Sequence, residues 1–371
     1  MNGGASPIVR IERLDLVDVR TYARLTLDLD AGVTVLLGPN GIGKTNVLEA
    51  CAVVLQGTSP RTSAELRLVR DGATAARIAA SVWVDDQLHE REVRFVSGRG
   101  KQLRLDGSAA RSVDDYAEAA PVVTFLPERL LTIRGAPARR RALIDHLAVR
   151  IEPSVAAVTQ REYTKAVQQR NNVLRRGKGH SSRIDEELAP WTALVARHGL
   201  DLRAQRDRVL AQLAGPFAER FAQLTGLPGA TFDLDLRGSA DLEAALAEQL
   251  PIDRRRGTTT AGPHLDDMLP RHEGRDLRAF GSTGEQRSAL LAFTLAARDL
   301  IETVTGRQPV VLLDEPWSEL DRDRRSRLTD LLPTLGQVIA TSTDAPRGIA
   351  GTLLAVSSGE ITPWTTDPTS S

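Results

Sequence analysis

The residues whose spacing carries the most chemistry are Gly38 to Thr45, GPNGIGKT. A run G-x-x-x-x-G-K-T, set after an apolar stretch and before a helical one, is suited to hold a polyphosphate. Its glycines let successive backbone N–H groups face one point, and the helix N-terminus adds partial positive charge. Gly38, Pro39, Asn40, Gly41, Ile42 and Gly43 form the expected cradle; Lys44 should reach the β- and γ-phosphates, and Thr45 should ligate Mg2+ through its hydroxyl. Pro309 to Glu315, PVVLLDE, is the complement: four apolar residues in a row, then two carboxylates. On a buried strand these emerge at the C-terminal end, where α/β sheets hold ligands. Asp314 then holds the Mg2+ and its water shell, while Glu315 orients or deprotonates the attacking water. ATP with Mg2+ is the cofactor pair that this set fits.

A third segment, Gly281 to Arg287 (GSTGEQR), reads in two ways. Ser282 and Glu285 have the spacing of a capping box, in which each side chain satisfies an orphan N–H of the first turn. Gly284 is not needed for a cap and weakens a helix. It admits close approach of an anion to the helix N-terminus. The segment alone leaves cap and nucleotide contact equally open.

The elements that must position these groups alternate between sheet and helix. From Ile8 to Leu37, RIERLDLVDVR and RLTLDLD alternate apolar with charged residues, and GVTVLLG is the near-continuous run of a strand buried on both faces. A helix follows from Lys44 to about Leu55, then a β meander expected to end near PVVTFL. Roughly from Ala136 to Leu250, Ala, Leu, Arg, Gln and Glu at helical spacing predict a helical insertion. Sheet pattern is expected to resume around Arg256, and PVVLLDE, GQVIATSTD and GTLLAVSSGEI read as strands. The expected organisation is an N-terminal part of the catalytic domain over 1–126, a helical lobe over 127–256, and the C-terminal part of the domain over 257–371.

Lys+Arg and Asp+Glu both number 48 in the 371 residues, so any nucleic-acid contact must come from local clusters. Glu128 to Arg150 holds six arginines against two acids, and Arg161 to Arg183 seven Lys/Arg against one. Arg139, Arg140, Arg141, Arg175, Arg176 and Lys178 are therefore candidate phosphate contacts, with solvated helix faces as the plain alternative. The few aromatics favour a duplex backbone over stacking on single strands. His264, Asp266 and Asp267 imitate a metal cluster, although a turn or packing role suits them better. A single cysteine, Cys51, excludes an intramolecular disulfide. No signal-peptide pattern and no membrane-length apolar run is present, so a cytoplasmic protein without membrane contact is expected.

The order P-loop, S-T-G-E-Q, VLLDE and then SELD (Ser318 to Asp321) is that of ABC-type ATPases. Such proteins form composite sites in which the signature meets the γ-phosphate held by a second subunit. More closely, the chain resembles the RecF family of recombination mediators with SMC-like ATPase heads. The carriers are LVDVRTY, GPNGIGKTNVLEA, SPRTS, GAPARRRALID, YTKAVQQRNNVL, GTTTAGPHLDD and FGSTGEQR, which span about Ile8 to Asp344. The resemblance implies an α/β fold, an ABC/SMC-type P-loop ATPase head with an inserted, mostly helical second lobe. It implies Ser282, Gly284, Glu285 and Gln286 as a signature acting in trans, with Asp321 as the D-loop residue across the dimer interface. It further implies slow, DNA-stimulated ATP hydrolysis and an ATP-dependent homodimer on duplex or gapped DNA. RecR- and RecO-type partners and loading of the strand-exchange protein at gaps belong to the same implication. Where many relatives have S-Q-G-Q this chain has S-T-G-E, and Asp314-Glu315-Pro316 stands where they have L-D-D; the residue after Thr343 is Asp344, where many ABC ATPases place a histidine. Ser282 lies 237 positions after Thr45, too far for a transport subunit, and the insertion is too short for an SMC coiled coil. An ATP-gated binding module with an idle Glu315 stands as the alternative.

Overall fold

The computed structural model describes residues 8–127, 130–176, 182–237 and 239–365. The chain divides into two compact units: Met1–Arg129 with Gln223–Gly226 and Arg287–Ser371, and Leu130–Ala222 with Leu227–Gln286.

The first unit is built on two sheets. Strands β1 (Arg10–Val19) and β2 (Tyr22–Asp28) bury alternate residues and belong to an antiparallel sheet. Strand β3 (Val33–Leu37) is buried at all five positions and leads into helix α1 (Lys44–Gln56). The antiparallel sheet continues through β4 (Ala75–Val84), β5 (Gln87–Val96), β6 (Gly100–Leu105) and β7 (Ser108–Ala109), in the order β2-β1-β4-β5-β6-β7. Helix α2 (Val113–Glu118) then leads to β8 (Val122–Phe125).

The meander ends at β7, not at PVVTFL. β8 is the edge of the second sheet and pairs parallel with a strand almost two hundred residues later in the chain. Its four residues are all buried, and a short apolar run carries no sign of which sheet it joins.

The second unit begins with α3 (Leu130–Arg134), α4 (Pro137–Ile151), α5 (Pro153–Arg176) and α6 (Ser182–Thr225). Strand β9 (Ala230–Asp235), helix α7 (Leu242–Arg256), strands β10 (Asp267–His272) and β11 (Arg275–Asp276), and helix α8 (Leu277–Phe280) follow. The three strands form their own antiparallel sheet, in the order β11-β10-β9. Residues 257–286 therefore pack in the second unit rather than with the C-terminal part of the head, because β10 finds its partner in β9.

Helix α9 (Thr283–Thr305), β12 (Val310–Leu313), α10 (Arg322–Leu331), β13 (Val338–Ser342), β14 (Thr352–Ser357) and β15 (Glu360–Pro363) complete the chain. The second sheet of the first unit has the order β15-β14-β3-β13-β12-β8, parallel except for the β14–β15 hairpin. Helix α1 packs against β1, β4 and β5 on one side and β8, β12 and β13 on the other. A helix covered on both sides must be apolar all round, and ACAVVL from Ala50 to Leu55 is buried at every position. Each Val or Leu so buried contributes about 1.5–3 kcal/mol. Cys51 lies in this layer, where burial pushes its thiol up to about 12. No described helix is long and apolar enough to cross a membrane.

Candidate nucleotide site

The loop between β3 and α1 takes positive φ at three glycines, Gly38, Gly41 and Gly43. Gly41 has φ +81 in open space, and Gly43, the N-cap of α1, has φ +120. A Cβ at Gly43 would lie 2.8 Å from the Tyr22 hydroxyl and 3.0 Å from Thr21 Oγ1. Glycine is thus required there both by conformation and by the close approach of the β1–β2 turn. That turn also braces α1: Asn46 donates to Thr21 Oγ1 (3.1 Å), and Arg20 forks onto the buried Glu49 carboxylate at 3.0 Å through both nitrogens.

Lys44, Thr45, Asp314 and Glu315 meet although 269 positions separate the two middle residues. Parallel pairing of β13 between β3 and β12 brings the ends of the latter strands to the same edge. Lys44 Nζ donates to the carbonyls of Gly38 (2.5 Å) and Pro39 (3.2 Å) and lies 3.0 Å from Glu315 Oε1. The Thr45 hydroxyl is 3.0 Å from both Asp314 carboxylate oxygens. Asp314 is fixed from behind: its N–H donates to the Phe125 carbonyl (2.9 Å), and Thr341 Oγ1 donates to its Oδ1 (2.6 Å).

Glu315 is held by its backbone. It has φ +49, and its N–H donates to Thr341 Oγ1 (2.9 Å). Its carbonyl accepts from Ser318 N–H (3.2 Å) and from an Arg287 guanidinium nitrogen. Thr341 and Arg287 were not singled out from the sequence. Thr341 lies within GQVIATSTD, and a hydroxyl at the C-terminal end of an expected strand is the only sign of its role that the sequence carries.

The GSTGEQR segment makes the capping box. Ser282 N–H donates to Glu285 Oε2 (2.8 Å), and Glu285 N–H donates to Ser282 Oγ (3.2 Å). Ser282 and Thr283 are exposed, and Gly284 and Glu285 are half-buried. Gln286, the fourth residue of the expected signature, has a different environment from Ser282 and Thr283. It is buried, and its amide donates to the carbonyls of Leu277 (2.8 Å) and Arg278 (3.2 Å). Arg134 donates to the Gln286 amide oxygen and to Thr283 Oγ1 (2.8 Å), so an arginine from α3 organises the segment; its place in a basic cluster gave no hint of this. Asp321 is exposed and N-caps α10, accepting from Arg324 N–H (2.9 Å). Asp344 is exposed, with Thr343 Oγ1 donating to it at 3.2 Å.

The candidate phosphate contacts divide. Arg139, Arg175 and Arg176 are exposed, whereas Lys178 lies outside the described residues. Arg140 is no surface residue: its fork meets both Asp267 oxygens at 2.8 Å, and Nη1 donates to the carbonyls of Ile133 and Gly135, each at 2.7 Å. Arg141 is half-buried and donates to the Asp266 carbonyl (2.6 Å). The Asp266 carboxylate pairs with Arg203 at 2.9 and 3.0 Å. His264 accepts at Nδ1 from the Tyr163 hydroxyl (2.7 Å), because its Nε2 must donate to the Thr259 carbonyl (3.1 Å). Burial, aided by nearby Arg141, holds His264 below its ordinary pKa and so neutral. These three residues pack and pair, and no group of three metal-ligating side chains occurs among the described residues.

A phosphate loop, a strand-end Asp-Glu and a capped S-T-G-E helix on an α/β sheet define a P-loop ATPase head of the ABC/SMC class. The family model for the RecF/RecN/SMC N-terminal domain matches residues 10–349. Relatives named "DNA replication and repair protein RecF" include that of Acidothermus cellulolyticus, 36% identical over 90% of this chain and 93% of its own. That of Streptomyces avermitilis is 34% identical over 95% and 99%. The chain belongs to the RecF family. Among solved structures, the recombination mediator protein RecF with ATP in the RecFOR pathway aligns with TM-score 0.84 at 23% identity, over 98% of this chain and 100% of that one. An Smc head domain bound to the C-terminal domain of ScpA, from Pyrococcus furiosus, aligns with TM-score 0.57 at 19% identity, over 96% of each chain.

Proposed function

We propose that this protein is an ATP-dependent DNA-binding ATPase of recombinational repair and replication, which dimerises on DNA with ATP. The observation that carries the reading is the meeting of Lys44, Thr45, Asp314 and Glu315 at one sheet edge. Its residues fit ATP and Mg2+. The loop offers backbone N–H groups beside glycines of positive φ, and a hydroxyl and a carboxylate converge as hard oxygen ligands. Thr45 and Asp314 would hold the ion, which when bound neutralises phosphate charge. Lys44 pairs with Glu315 and, in this reading, is also the group that meets the phosphates. Phosphate binding and freeing of the Glu315 carboxylate are therefore linked, and Glu315 becomes the base for water.

The exposed Ser282 and Thr283 support a signature that meets nucleotide on a second copy, with Glu285 capping the helix and Gln286 anchoring it from inside. Asp321 is the D-loop residue of the same reading. DNA contact rests on Arg139, Arg175 and Arg176, with Arg141 at its margin. Family membership supports partners of the RecR and RecO kind and a part in loading the strand-exchange protein at gaps. The test is binding to duplex, single-stranded and gapped DNA with and without ATP, self-association being followed in parallel. The reading predicts ATP-dependent binding to duplex or gapped DNA that tracks dimer formation. Binding indifferent to ATP would refute it.

A further inference from the structure

Arg287, the last residue of GSTGEQR, is buried and lies against the strand end that carries Asp314 and Glu315. One guanidinium nitrogen donates to the Glu315 carbonyl. Nη1 lies 3.8 Å from Glu319 Oε2, and Cζ sits 5.2 Å from the centroid of the Phe125 ring. Its Nε has no hydrogen-bond partner among the described residues.

The backbone it touches is strained. Glu315 (φ +49) and Glu319 (φ +60) are both left-handed, a conformation that costs a side-chain-bearing residue about 1–2 kcal/mol and persists only where neighbours hold it. Three bonds hold the Glu315 peptide: Thr341 at its N–H, and Ser318 and Arg287 at its carbonyl. Thr341 is committed in both directions, since its hydroxyl also donates to Asp314. Ser318 belongs to the same turn. Arg287 alone of the three is carried by α9, the helix whose first turn is the signature.

We infer that Arg287 is a positioning residue for hydrolysis: it holds the Glu315 peptide in its left-handed turn and ties the aim of that carboxylate to the position of α9. The inference rests on the ATPase reading above. An incompletely bonded guanidinium is cheaper to re-aim than a saturated one, so a small shift of α9 alters the grip on Glu315. Lys44 and Thr45 have no part in that grip, so nucleotide affinity should change only slightly, through the Lys44–Glu315 pair.

The experiment measures steady-state ATP hydrolysis, ATP affinity and melting temperature for wild type, Arg287→Gln and Arg287→Lys, with Lys44→Met as the control without a site. Misplacing a catalytic group by about 1 Å costs on the order of 100-fold in rate, so kcat should fall about 10- to 100-fold. KM for ATP should stay within about threefold. Arg287→Lys, which keeps the buried charge but not the fork, should retain an intermediate kcat and serves if the glutamine variant fails to fold. Unchanged kcat in a variant that hydrolyses with wild-type affinity overturns the inference alone. Loss of ATP affinity and melting temperature in step with kcat also overturns it, by making Arg287 a packing residue only. A wild type no faster than Lys44→Met overturns the ATPase reading and this inference together.

Discussion

Arg139, Arg140 and Arg141 are consecutive and chemically identical, yet the fold gives them three environments. Arg139 is solvated, Arg141 half-buried, and Arg140 locked onto Asp267. Their charge was legible in the sequence. Their burial was not, since the partner carboxylate lies 127 positions away. Removing one member of a buried ion pair strands the other, so Arg140→Ala should cost about 3–5 kcal/mol. Arg139→Ala should stay within about 0.5 kcal/mol. Urea denaturation of the two variants measures the difference; similar midpoints would return Arg140 to the surface. The pair also sets a pH window. Burial raises the Asp267 carboxyl, but the Arg140 fork and Met268 N–H outweigh it and hold the acid below its ordinary 3.8. A depressed carboxylate stabilises fully above the unfolded value and loses that contribution as pH falls through the folded one. The gap between wild type and Arg140→Ala should therefore narrow below about pH 4.

At the scale of elements, the sequence was most legible where one element carries its own signal. The P-loop helix, the buried strands β3, β12 and β13, and the capping box at α9 all formed where their patterns lay. β8 joins a different sheet, and β10 a different unit, from those expected, because pairing across long separations decides where a short strand goes. The end of α1 depends on such a distant partner too. Gly57 closes the helix at φ +74, its N–H on the Val53 carbonyl (2.7 Å). Arg91, from β5, donates to the carbonyls of Val54 and Leu55 at 3.1 Å each, and to that of Tyr116. A buried cation on orphan carbonyls at a helix C-terminus satisfies both hydrogen bonding and the helix dipole. Arg91→Ala should cost about 3 kcal/mol, since the buried Leu55 and Tyr116 carbonyls lose this donor at about 1–3 kcal/mol each, while the Val54 carbonyl keeps the Tyr116 hydroxyl (2.7 Å). A melting temperature equal to wild type would show that other groups close the helix.

For the whole molecule, the sequence disclosed an α/β head interrupted by a largely helical insertion, and the family followed from an ordered set of motifs. Residues 257–286 escaped that reading. Their strands look like those of the head but complete a small sheet of the second unit, so the signature's first turn belongs to one unit and Arg287 onward to the other. The central claim is that two chains share each nucleotide, Lys44 from one and Ser282 from its partner. Mixing two defective chains tests it most directly. Lys44→Met lacks the phosphate lysine, and Ser282→Arg blocks the signature, so neither should dimerise with ATP in sedimentation velocity. Their equimolar mixture should, because each heterodimer retains one intact composite site. A mixture that stays monomeric while wild type dimerises would contradict the account and leave GSTGEQR as a helix cap alone.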